Sequence, residues 1–178
     1  FMQKKYQLQP SHNKPDFLRM RPANFPTIRL SQLAALVYQS SHLFSTIIEM
    51  KDVQQVKKLF DITANDYWHY HYIFDEETVY KPKMLGTQMV DNLIINTVCN
   101  MLFAYGVYHN EQKHKDKAFN WMQALAPEQN NITKRWKQHG VTNSNAFESQ
   151  ALIELKNNYC NEIKCLDCAV GNKLLKPE

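Results

Sequence analysis

Cys160, Cys165 and Cys168 stand in the order C-x4-C-x2-C, so three of the four cysteines fall within nine residues. The spacing predicts one thiol at the end of a helix and two on or just before the next turn, from where they can converge on one ion. Amide groups at a helix start favour thiolate, the form that binds zinc or iron, so zinc or an iron–sulfur cluster is the cofactor this pattern suggests. A structural zinc takes four ligands, and the fourth would be Cys99, a distant histidine, or absent. The competing reading makes the three thiols small, half-buried residues that close a helical hairpin. A redox pair at Cys165 and Cys168 lacks the surrounding βαβ pattern.

A second chemistry is suggested by basic residues mixed with aromatics. Arg19, Arg21 and Arg29 bracket R-P-A-N-F-P-T-I-R, and Lys113, Lys115, Lys117, Lys134, Arg135 and Lys137 accompany Trp121 and Trp136. Phosphate contact and base stacking require such a mixture, which makes Arg19, Arg21, Arg29, Lys113, Lys117, Lys134 and Arg135 the candidate nucleic-acid contacts. The same residues also read as the solvated sides of amphipathic helices, and the first arginines can pair with Glu128, Glu148 or Glu154.

Other groups point to packing. His69 and His71 flank Tyr70 and would share one face of a strand, a spacing that chelates metal but more often packs. His109 and His114 lie near a helix junction without a pair of carboxylates. Cys99 sits in an apolar run as a small buried hydrophobe. Asn92, Asn96 and Asn100 recur every four residues, a stripe whose amides are expected to be buried and to bond a loop or the proline-rich lead-in, or else to line a polar pocket.

The elements that must carry these residues read as a mainly α, compact multi-helix array around a central apolar helix, with room for one short β-hairpin. Residues 1–26 hold Pro10, Pro15, Pro22 and Pro26, which predicts an extended lead-in packed on a helical domain of residues 27–178. Helices are expected from Thr27, around Leu43 to Ile48, and from Asp52. Tyr67 to Phe74 and Thr78 to Lys81 read as an extended pair. The long apolar helix follows Gly86 and frays at Gly106, then come helices over 111–125, from Pro127 to about Gly140, and from Ser144 to near Cys160.

The 178 residues suit one domain, and 44% hydrophobic content is enough to offset the entropy of ordering it. Met84 to Tyr108 is interrupted by Asp91, Asn92, Asn96 and Asn100, so it is read as a core helix rather than a membrane span. With no export signature the thiols are expected to be reduced and the protein cytoplasmic, with no membrane partner. The net charge of +4 decides little. Four glycines and no repeat argue against solenoids and glycine-rich phosphate loops.

The chain resembles a bacterial family catalogued as domain of unknown function 2851. The resemblance rests on R-P-A-N-F-P-T-I-R-L-S-Q-L-A from Arg21, D-N-L-I-I-N-T-V with F-A-Y-G from Asp91 to Gly106, E-Q-N-N-I-T-K-R-W, S-Q-A-L-I-E-L, and Y-C-N-E-I-K-C-L-D-C-A-V-G ending at Gly171. It implies the carboxy-terminal portion of a longer protein whose preceding domain, its partner, looks nuclease-like. The function expected is therefore a non-catalytic helical module with a structural or interaction role. The alternatives are a nucleic-acid-binding accessory module and a metal- or thiol-dependent enzyme.

Overall fold

Proline at the first helical position forfeits no intrahelical hydrogen bond, and Pro26 opens a helix there, one residue before the Thr27 start expected from the sequence. The computed structural model describes residues 2–9, 17, 20, 21 and 24–175. Pro10, Pro15 and Pro22, on which the extended lead-in rests, lie outside the described residues, as does Arg19. In chain order the elements are α1 (Met2–Lys5), α2 (Pro26–Gln39), α3 (Leu43–Glu49), α4 (Val53–Leu59), α5 (Asp66–Tyr70), β1 (His71–Ile73), β2 (Glu76–Glu77), α6 (Thr87–Leu93), a π-helical turn Ile94–Cys99, α7 (Asn100–Tyr108), α8 (Gln112–Ala124), α9 (Asn131–Gln138), α10 (Ala146–Glu154), a second π-helical turn Leu155–Cys160, and α11 (Ala169–Leu175). Among the described residues the architecture is mainly α with one antiparallel hairpin, as the patterning implies.

The chain divides into two compact units, Phe1–Ser41 with Asp61–Leu85, and His42–Phe60 with Gly86–Glu178. In the first, Ile28, Ala64 and Trp68 form a buried cluster flanked by Phe25 and Tyr72. Lys83 is buried beside it. Its Nζ donates to the carbonyls of His69 (3.2 Å) and Lys81 (3.0 Å) and lies 4.0 Å over the Tyr72 ring. Burial, then the nearby Lys81 charge, hold this amine below its ordinary value of 10.5.

The extended pair expected over 67–81 is corrected. Asp66–Tyr70 is helical, and β1 pairs with the charged Glu76–Glu77 through a turn at Asp75, whose φ is +63°. Thr78 and Lys81 return to the carbonyls of Tyr70 and His69 without forming a strand. His69 and His71 therefore share no strand face. His69 Nε2 meets Thr63 Oγ1, while His71 stacks on Tyr67 at 3.9 Å and 3° with its Nδ1 on the Tyr67 carbonyl.

The second unit is organised by one continuous rod, Thr87–Tyr108, with a mean hydropathy of 1.2, long and apolar enough by those measures to cross a membrane. Its buried residues are Val90, Ile94, Ile95, Val98, Cys99, Leu102 and Gly106, so that every fourth position from Val90 is buried. In a regular α-helix such a stripe drifts by about 40° per step. The wider π turn at Ile94–Cys99 takes up part of that drift, and the turn and α7 pack on α8, where Ala118 and Trp121 are buried. Gly106 is not a frayed end: it lies inside α7 and is buried at the α7–α8 hairpin.

Local caps are consistent with the sequence. Asp52 accepts the Gln54 amide at the start of α4. Asn145, rather than Ser144, caps α10 by accepting the Glu148 amide, and Glu148 reaches back to the Ser144 amide (2.6 Å) and hydroxyl (2.9 Å). Those two bonds, the backbone one first, hold the Glu148 carboxyl below its ordinary value of 4.5. A depressed carboxyl stabilises the fold above pH 4.5, and the contribution is lost as pH falls through the folded-state value. Ser144→Ala should move the Glu148 titration upward when followed by NMR. An unmoved titration would remove this account.

Candidate functional site

The clearest constructed feature is the loop 126–130 between α8 and α9. Asn130 accepts the amides of Ile132 (2.9 Å) and Thr133 (3.0 Å), and Thr133 Oγ1 meets the Asn130 amide, a capping box that starts α9. Helix α9 therefore begins at Asn131, and Pro127, expected in its first turn, lies in the loop. Ser149, fully buried on α10, accepts the Glu128 amide (3.0 Å) and Asn143 Nδ2 (2.6 Å) and donates to the Asn145 carbonyl (2.9 Å). Thr133 Oγ1 donates to the Glu128 carbonyl (3.0 Å), and Gln150 donates to the Glu128 carboxylate.

This loop forms one wall of a cleft of about 420 Å³ whose other wall is Thr87, Gln88, Asp91, Asn92 and Ile95 of the rod. Asp91 is paired with Lys57 at 2.6 Å. The lining thus offers amides, a hydroxyl and two carboxylates that are each already engaged, a set suited to hydrogen-bonding a polar ligand or segment. Three stretches distant in sequence meet here: Asp91 and Asn92, the run Glu128 to Asn131, and Ser149 with Gln150. Sequence reasoning did not join them, although each belongs to a run on which the family resemblance rests.

The asparagine stripe is corrected. Asn96 and Asn100 are exposed, and they donate to the carbonyls of Asn92 and Asn96 (3.0 Å each) on their own helix rather than to a packed loop. Only Asn92 reaches the cleft.

The basic candidates separate by what holds them. Arg29 donates to Gln32 Oε1 (2.9 Å) and Asn24 Oδ1 (2.5 Å), and burial lowers its pKa. Lys113 pairs with Glu111 at 2.7 Å, which raises its pKa through that hydrogen bond and charge. Lys117 Nζ donates to the carbonyls of Ile48 (2.5 Å) and Met50 (2.8 Å), closing the end of α3. Burial and then Lys113 hold its amine below 10.5. Arg21, Lys134 and Arg135 are exposed. Glu111 also meets the buried His114 Nε2 at 3.1 Å, a contact at the hairpin that the sequence did not suggest.

Among the described residues no group of three or more His, Cys, Asp and Glu side chains is placed to hold a metal ion. Cys160 and Cys165 are exposed and Cys168 is buried. Cys99 is buried, and burial pushes its thiol up to about 12, which removes it as a nucleophile at neutral pH. The thiol segment is closed by its own backbone. Lys164 N donates to the Tyr159 carbonyl (2.9 Å), Asn172 N to Cys168 (2.7 Å), and Asn172 Nδ2 to Leu166 (3.1 Å). Gly171 is required there, because a Cβ on it would lie 2.4 Å from the Cys165 carbonyl oxygen. Gly171→Ala should expose Cys168, raising its alkylation rate toward that of Cys165 in mass-spectrometric mapping. An unchanged rate would show that the segment tolerates the methyl group.

A family model described as a protein of unknown function, DUF2851, matches residues 1–131. No curated protein and no solved structure matches. The matched residues carry the rod and the loop through Asn131, whereas Ser149 and the three clustered thiols follow them. With the match extending over more than half its length, the chain belongs to the DUF2851 family.

Proposed function

We propose that this chain is a non-catalytic helical module of a longer protein, with an interaction role exercised at the cleft between the rod and loop 126–130. The observation that carries the reading is the pinning of that loop by the buried Ser149. It presents Glu128 and Gln129 in a fixed arrangement opposite Asp91 and Asn92. Three of the ionisable groups elsewhere in the chain serve the fold: Lys83 and Lys117 satisfy carbonyls, and Glu148 satisfies a helix start. The partner that follows from the family resemblance is the preceding, nuclease-like domain in a cytoplasmic protein. Gln129→Ala with Asn92→Ala should weaken association of the chain with that domain, added in trans, without lowering thermal stability. Undiminished association, or turnover of a nucleic-acid, ester or peptide substrate that Asp91→Asn abolishes, would overturn it.

A second reading, accessory contact with nucleic acid, is favoured by α9. Its exposed Lys134, Arg135 and Lys137 pair with no carboxylate among the described residues. It predicts retention on DNA that falls steeply with salt. Retention that is absent at low salt would remove it. Elemental analysis of anaerobically purified protein tests the remaining reading, metal at Cys160, Cys165 and Cys168.

A further inference from the structure

A separate cleft of about 370 Å³ opens between one face of α9 and the second π turn, within the size range of small-ligand sites. Asn131, Ile132, Arg135, Trp136 and His139 line one wall, and Lys156 and Cys160 the other. Three of these seven residues carry or can take a positive charge, and none is a carboxylate. The guanidinium of Arg135 has no acidic partner among the described residues, and Lys156 Nζ is held only by the neutral amide of Asn161. Among the described residues no carboxylate therefore pairs with the positive charge of the cleft.

The apolar part of the lining is fixed rather than incidental. Trp136 is half-buried, and its Nε1 donates to the Leu152 carbonyl at 3.1 Å, which sets the plane of the indole beside Ile132. A planar guanidinium and an ammonium are the usual pair for phosphate oxygens, and an indole with an aliphatic neighbour is a surface for a flat ring. We propose that this cleft binds a nucleotide unit, its phosphate on Arg135 and Lys156 and its base against Trp136. The unit is either a free nucleoside monophosphate or one residue of a single strand, the two sharing the same phosphate ester chemistry.

The site does not include loop 126–130, so its failure leaves the partner-docking reading intact, and failure of that reading leaves this site intact. Calorimetry on the full chain at low salt should detect adenosine monophosphate or a short single-stranded oligonucleotide, with adenosine alone bound far more weakly. Arg135→Met and Lys156→Met should each weaken that binding by about tenfold or more, as loss of a charge-assisted bond implies. Their unfolding midpoints should stay near that of the parent chain. Cys160 supplies a second readout, because a bound nucleotide should slow its alkylation while leaving the exposed Cys165 unaffected. Binding of the oligonucleotide but not the monophosphate would assign the cleft to a strand. Adenosine bound as tightly as its monophosphate, affinity unchanged in both variants, or no binding by any probe would overturn the proposal.

Discussion

Ser149→Ala is expected to destabilise the second unit by roughly 1–3 kcal/mol, since two half-buried donors lose an acceptor that lies in the interior and an unsatisfied group costs about 1–3 kcal/mol. The Glu128 amide and Asn143 Nδ2 both end on the Ser149 hydroxyl, which has no exposed surface. Alanine leaves both without that acceptor. Denaturant unfolding gives the energy, and amide hydrogen exchange at Glu128 gives its location. A loss below about 1 kcal/mol, within the range of an ordinary surface change, would show that the loop is not held by this hydroxyl.

Gly106→Val should be similarly damaging, by about 3 kcal/mol, at the upper end of what overpacking usually does. A Cβ at Gly106 would stand 2.9 Å from the Glu111 carbonyl oxygen, 2.9 Å from Lys115 Cγ and 3.0 Å from the Lys115 amide nitrogen. Two of those three atoms are backbone, so the α7–α8 hairpin must open for the side chain to fit. Helix propensity pulls the other way, by about 1 kcal/mol in favour of alanine. Gly106→Ala should therefore lose less than the valine variant while still losing stability. Protection of α7 and α8 amides against hydrogen exchange should fall in both. Alanine that stabilises the chain would mean propensity outweighs the contact.

Local signals in the sequence were enough for the helical class and several element starts. Asp52 before Val53 and Val56, and the apolar run from Leu43, needed nothing distant to be read. Other features depended on partners far along the chain. The amine of Lys117 closes α3 from 69 residues away, and nothing in the pattern around Lys117 distinguishes it from a solvated lysine. Asn92, Asn96 and Asn100 were legible as a stripe, yet bonding within the helix satisfied two of them and left them in solvent. Tyr67 to Tyr70 are strand formers by type, but the buried Trp68 and its neighbours close a helical turn instead, so packing prevailed over propensity. The cleft was legible only as scattered runs, because its walls come from 87–95 and 126–130 and its support from 149–150.

The wide turn at Ile94–Cys99 bears on how this chain can change in length. Removing or adding one residue in an ordinary helix swings everything beyond it by about 100°, which would turn the buried side of the rod toward solvent. Losing a single residue within Ile94–Cys99 would instead return that stretch to regular winding and leave both flanks aimed as they are. The rod carries a point of slack at its middle, where a one-residue deletion should be tolerated that would be ruinous a turn to either side.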